Sequence, residues 1–182
     1  MHTTIDPTDP IQIDELAHLT YAAFKTHAPD WLPTAADARL RVLQATAAGS
    51  INRVLLNPDA KPVGWIGVTP INHGRIWEIH PLAIAPAEQG KGYGSMLVNE
   101  IERLAQSRGV LGLLAGTSDE TGATPLYGVD LYQNPCELLN RLTGAEQHAV
   151  TFWRKVGFTV VGVVPDAEGR GRPGITLAKR VG

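Results

Sequence analysis

The run from Ile76 to Arg108, IWEIHPLAIAPAEQGKGYGSMLVNEIERLAQSR, leaves little choice of local structure. Ile76–Ile84 is apolar and strand-like, and Pro86 follows it. The turn Gln89-Gly90-Lys91-Gly92-Tyr93-Gly94 then opens into a helix. In that helix Leu97, Ile101, Leu104 and Ala105 share one face, and Asn99, Glu100, Glu102, Arg103 and Gln106 cover the rest. A strand passing through glycines into a helix makes an anion site. The first helical turn has unpaired N–H groups and a partial positive charge, and glycines let a phosphate approach the backbone. Lys91 adds a full charge. The glycines alternate, so neither the GxGxxG dinucleotide turn nor the GxxxxGK[ST] phosphate loop is present.

Along the strand, Trp77 and Ile79 point one way, and Ile76, Glu78 and His80 the other. Two ionisable residues in an apolar strand fit either a solvent-facing side of a sheet or a general base near the phosphate turn. Pro81 lacks an N–H, so the ladder must be interrupted there, as at a bulge.

Around this centre, the pattern predicts a short edge strand at Thr3–Asp6 and a helix capped by Asp9, with Pro10 first. Its apolar stripe is Leu16, Ala17, Leu19, Ala23 and Phe24, reaching about His27, and Ala28 to Pro33 breaks it. Thr34 caps a second helix through Ala48, with Leu40, Leu43 and Ala47 at helical spacing. Arg53–Leu56 and Pro62–Thr69 read as a hairpin, and Val110–Ala115 as a short buried strand. A short helix is expected at Cys136–Leu142. A late helix carries Ala149, Phe152, Trp153 and Val156, and strands follow at Thr159–Val164 and Ile175–Lys179.

The 182 residues suit one domain, 1–182, with a formal net charge of −2 and no basic stripe for nucleic acid. A single cysteine, Cys136, excludes an intrachain disulfide and fits a reducing compartment. No leader-like N-terminus and no long apolar run is read, so a soluble cytoplasmic protein without membrane contact is expected. No metal site is expected.

Two patterns together carry a family resemblance. The first is Gln89-x-x-Gly92-x-Gly94 between strand and helix; the second is Ala149-x-x-x-Trp153-x-x-x-Gly157-Phe158. Both resemble the GNAT superfamily of N-acetyltransferases. The resemblance implies an α/β (α+β) fold: a mixed, mostly antiparallel twisted sheet, split at a central wedge, with helices on both faces. It implies acetyl-CoA as co-substrate, with the backbone of Leu82, Ala83 and Ile84 meeting the acetyl and pantetheine groups. Gln89, Gly90, Lys91, Gly92, Tyr93, Gly94 and Ser95 would hold the pyrophosphate. Glu78, placed like the base of some members, is the first catalytic candidate and His80 the second. The frequent general acid of the family is a tyrosine where this chain has Trp153, whose indole N–H cannot serve as that acid.

Compared with the family, the segment at about 117–147 reads as an insertion. Within it Asp119 and Glu120 fit either a cationic substrate or a solvated acidic turn, and Tyr127 and Tyr132 either line the site or anchor the loop. Trp31 and Phe24 fit either core or the mouth of a substrate site. His148 reads as a capping or surface residue, with a role as acid the alternative. The WEIHPL strand, the glycine turn and the TSDE segment look like proteins grouped with aminoglycoside 6′-N-acetyltransferases. The expected activity is acetyl transfer to a primary amine of a small molecule, aminoglycosides included, by direct attack. A protein or peptide N-acetyltransferase is the alternative, and a non-catalytic acyl-CoA-binding sensor is the alternative of another class. A homodimer is expected by family habit alone.

Overall fold

The computed structural model describes residues 2–139, 142 and 148–182. The end of the predicted insertion, residues 140, 141 and 143–147, therefore lies outside the described residues. The chain forms β1 (His2–Thr3), α1 (Pro10–Phe24), α2 (Ala35–Gln44), β2 (Ile51–Leu56), β3 (Pro62–Ile71) and β4 (Ile76–Ile84). It continues with α3 (Tyr93–Ser107), β5 (Gly112–Ser118), α4 (Pro135–Leu139), α5 (Ala149–Lys155), β6 (Thr159–Val164) and β7 (Gly174–Arg180). The strands form one sheet in the order β1-β2-β3-β4-β5-β7-β6. Neighbours are antiparallel except β4 and β5, which are parallel because α3 carries the chain back between them.

The helix starts follow local chemistry. The Asp9 carboxylate accepts from the amides of Ile11 (2.9 Å) and Gln12 (3.2 Å), ahead of Pro10. Thr34 and Asp37 form a reciprocal capping box on α2. Helix α2 is shorter than expected and turns a different face inward: Ala38 and Val42 are buried, whereas Leu40 is 54% exposed. Small side chains at that spacing let α2 lie close against α1.

Two cores fill the two faces of the sheet. Leu97, Val98, Ile101 and Ala105 of α3 pack with Ile66, Val68, Trp77 and Ile79 on one face. On the other face Ile13, Leu16 and Ala17 of α1 and Ala38 and Val42 of α2 pack with Val54, Trp65 and Ala83. Trp65 is fully buried, and its indole N–H donates to the Thr20 hydroxyl at 2.8 Å, which meets the need of a buried indole for an acceptor.

The interruption expected at Pro81 is present, and it decides how the site is built. Ile66 pairs with Leu82 while Val68 pairs with Ile79, so β4 holds one residue more than β3 across this interval. The extra residue falls at His80–Pro81, a cis peptide, opposite Gly67. A Cβ on Gly67 would stand 2.9 Å from the His80 carbonyl oxygen, so the bulge needs a glycine there. Because side chains alternate along a strand, one added residue reverses the parity. Trp77 and Ile79 face α3; beyond the bulge Leu82 and Ile84 face it too, and Ala83 turns to the α1–α2 side.

Candidate functional site

Strands β4 and β5 pair only from Ile76–Gly112 to Ile79–Ala115. Past that point β4 runs on to Ile84 against β3, and β5 to Ser118 against β7. The sheet is split there, and the backbone of β4 beyond the bulge borders the opening.

On the α3 side of the split lies the glycine turn. Gly92 is the N-cap of α3 with φ 87°, and no side chain caps the helix. Gly90 has φ 78°, and a Cβ on either glycine would meet nothing within 4 Å. The space above the turn is open and the first-turn amides of Tyr93, Gly94 and Ser95 are free of a side-chain acceptor, which fits an anion such as a pyrophosphate. The Gln89 side-chain amide donates to the Ile84 carbonyl (3.2 Å), bracing the turn against the end of β4. Lys91 is bonded to Glu88 at 3.0 Å, so its charge is shared within the turn. A Cβ on Gly94 would stand 3.0 Å from the Phe152 ring, so this glycine lets α5 close against the first turn of α3.

On the opposite face stand Glu78 and His80. Glu78 is half-buried, and among the described residues its carboxylate has no hydrogen bond or ion pair. His80 is solvent-accessible, yet its ring is partly desolvated and packed against Trp31. That loss of solvent, and then the Arg41 guanidinium, lower its pKa below the usual histidine value, while Glu78 acts in the opposite direction. Trp31 meets His80 edge-on, with ring centroids 5.3 Å apart, and Phe24 meets Trp31 at 4.8 Å. The Arg41 guanidinium carbon lies 5.2 Å from the centre of the Trp31 ring. Trp31 is half-buried: it packs against the α1–α2 core, one of the settings foreseen for it, and its ring also meets His80.

Three loops close this side. Asp119 is 0% exposed, and its carboxylate accepts from the amides of Thr121, Gly122, Ala123 and Thr124 at 2.7–3.3 Å. Burial alone would raise its pKa. The hydrogen bonds from the Thr124 side chain and from the amides of Ala123, Thr124 and Gly122 outweigh that and leave it below the usual aspartate value. Glu120 is 6% exposed and reaches across to the α1–α2 loop. It accepts from the amides of Asp30 (2.6 Å) and Trp31 (3.3 Å) and from the Ser118 hydroxyl (3.2 Å). Burial raises its pKa. Asp30 in turn pairs with Arg172 of the β6–β7 loop, and the Gly128 amide donates to the Gly171 carbonyl at 2.8 Å. Asp119 and Glu120 are not the solvated acidic turn that was one expectation: both are buried, and backbone amides bond to their oxygens. Tyr127 is exposed and its ring lies over Gly122 in its own loop, 3.6 Å from the place of a Cβ.

At the late helix, His148 is the N-cap of α5. The Val150 amide donates to Nδ1 (3.3 Å), so the proton sits on Nε2, which donates to the Ser118 carbonyl (2.9 Å). Both ring nitrogens are engaged, Nδ1 as the cap of α5 and Nε2 on the end of β5. Trp153 is 6% exposed, packed edge-on between Phe152 and Phe158 at 5.2 and 4.9 Å, as part of the core.

The sequence matches the Acetyltransferase (GNAT) family over residues 13–129. The chain belongs to the GNAT acetyltransferase family. It is an acetyl-CoA-dependent N-acetyltransferase. Among solved structures, an aminoglycoside 6′-N-acetyltransferase complexed with coenzyme A is 26% identical, covering 100% of this chain and 97% of that one, with a TM-score of 0.87. The aminoglycoside 6′-N-acetyltransferase from Enterococcus faecium is 27% identical over 100% and 97%, with a TM-score of 0.82. The ribosomal-protein-S18-alanine N-acetyltransferase from Escherichia coli, 14% identical over 100% and 93% with a TM-score of 0.67, shares the fold. Comparison with curated protein sequences gives no match.

Within this GNAT domain two further charged residues lie near the face of Glu78 and His80 that sequence reasoning did not single out. Arg41 was hidden on a helix whose inward face was misassigned. Glu168, in the PDAEGRGRPG loop, has its carboxyl pushed up by burial and by the Glu120 charge and pulled down by Arg41. Its neighbours lie 127 and 48 positions away in the chain, so no local pattern could have found it. Among the described residues no helix is long and apolar enough to cross a membrane.

Proposed function

We propose that this GNAT enzyme acetylates a primary amine of an aminoglycoside, with Glu78 as general base. The observation that carries the reading is the full-length similarity to two aminoglycoside 6′-N-acetyltransferases. Acetyl-CoA supplies the activated acetyl carbonyl. The amides of the Gly90–Ser95 turn hold its pyrophosphate on the α3 side, and the backbone of Leu82, Ala83 and Ile84 borders its acyl arm. The acceptor enters from the other face, past Trp31.

Glu78 suits the base because its carboxylate is half-buried, unpaired among the described residues and on the acceptor side of β4. It takes the proton released as the amine nitrogen forms its bond to the acetyl carbon. The crowding that lowers the His80 pKa favours its neutral form, so it is the second group able to accept that proton. No side-chain acid is assigned: Trp153 is core and His148 is a cap, and a thiolate leaves without one near neutral pH. Direct transfer of this kind gains much of its rate from holding both reactants together.

The test is a thiol-release assay with acetyl-CoA against kanamycin, tobramycin, spermidine and peptides with free N-termini. Release on the aminoglycosides supports the reading. Release only on peptides transfers it to the protein-acetylating alternative, and acetyl-CoA binding without release on any amine favours the non-catalytic sensor.

A further inference from the structure

We propose that Glu120 is a positioning residue for the acceptor side: from the end of β5 its carboxylate holds the amides of Asp30 and Trp31, and so sets the Trp31 ring against His80. This rests on reading the face of Glu78 and His80 as the acceptor side.

The bond joins segments 90 residues apart. Among the described residues no other acceptor serves the Asp30 and Trp31 amides, whereas the next amide, Leu32, bonds to Ala28 within its own turn (3.1 Å). Leu32 is fully buried and anchors one end of the loop. The residue that reaches His80 is Trp31, immediately before it, and its backbone is tied down by Glu120. The side-chain tie runs through the same place, since Ser118 donates to the oxygen that takes the Trp31 amide.

The other links between these loops are weaker anchors. Asp30 and Arg172 are about half exposed, at 50% and 38% of their side chains, so solvent screens their ion pair. Glu120 is the buried link, and a charged acceptor makes the stronger hydrogen bonds to backbone amides. Loss of its charge would free the loop and with it one wall of the acceptor entrance. The glycine turn on the far face of β4 shares none of these contacts.

The experiment compares wild type with Glu120→Gln, which keeps the shape but presents an NH2 group to one of the two amides. The first readout is acrylamide quenching of Trp31 emission, taken as the difference between each protein and its Trp31→Phe counterpart. The second is the KM for kanamycin against kcat, with the calorimetric Kd for acetyl-CoA alongside. The expected result is stronger quenching of Trp31 and a kanamycin KM raised about tenfold, the scale of one charge-assisted hydrogen bond, with the acetyl-CoA Kd unchanged. Should Glu120→Gln fail to fold, Ser118→Ala removes the third bond without orphaning the amides, and the same readouts should move about two- to threefold, less than for Glu120→Gln because both bonds to the loop remain.

Unchanged Trp31 quenching in a folded variant overturns the proposal. So does an acetyl-CoA Kd that worsens in step with the kanamycin KM, which would mark a merely structural carboxylate. If kanamycin is not acetylated at all, the functional reading fails and the quenching arm still decides this one.

Discussion

Trp31 and His80 meet edge to face across the mouth of the split sheet, one from the α1–α2 loop and the other from the bulge of β4. On the proposed reading, this pairing borders the path of the acceptor to the strand. Trp31→Ala should raise the acceptor KM about three- to tenfold, the range of an aromatic pair, and leave acetyl-CoA affinity as it is. Steady-state kinetics with kanamycin, beside calorimetry with acetyl-CoA, check both halves.

Glu78→Gln should lower kcat by about 10²–10⁴, the usual contribution of a positioned base, with the acetyl-CoA Kd within about twofold of wild type. His80→Asn should cost less. If His80→Asn costs more and Glu78→Gln is nearly silent, the two roles are exchanged.

The lowered pKa of His80 has a signed consequence for stability. Between its ordinary value of 6.5 and its lower folded value, the unfolded chain binds the proton more readily than the folded one. Stability should therefore fall as pH drops below 6.5 and through the folded pKa. Thermal unfolding of wild type and His80→Asn from neutral to mildly acid pH should show a shallower decline in the variant. An identical slope in both would remove His80 as its source.

Asp119 acts at lower pH and with the carboxylate sign. Its folded pKa is depressed, so its contribution is complete above 3.8 and is lost as pH falls below that value through the folded pKa. At neutral pH, Asp119→Ala leaves four loop amides without their acceptor, and about 2–4 kcal/mol of stability should go, read by urea unfolding.

At the glycine turn, Gly92→Val should weaken acetyl-CoA binding at least tenfold by calorimetry. Its φ of 87° strains any L side chain by about 1–2 kcal/mol, and the new atoms would stand in the open space above the turn. An unchanged Kd would show that the anion lies elsewhere.

Much of this was legible in the chain because it is local. The bounds of β4, the glycine turn, the Asp9 and Thr34 caps and the inward stripe of α3 all follow from residues within a few positions of one another. Pro81 even announced its bulge, though the reversal of parity that brings Leu82 and Ile84 to the α3 side needs the partner strand to be seen. The α2 stripe misled because Leu40 outweighs Ala38 in any hydropathy count, while close packing prefers the smaller residue. For Asp119 the partners are local, the amides of residues two to five positions on, so its short polar turn with Gly122 was a signal for a carboxylate bonded to backbone. Glu120 meets Trp31 across 89 residues, a distance over which periodicity carries no information.

The added residue in β4 also bears on the order of events in a turnover. On the proposed reading, with the acceptor on the Glu78 and His80 side of β4 and acetyl-CoA on the α3 side, the two reactants would have separate doors, and neither would have to leave before the other arrives. The enzyme can gather both and let each product depart by the way its parent came. Initial rates measured against both concentrations should then give intersecting double-reciprocal lines, the mark of a ternary complex, in place of the parallel lines of a relay through the protein.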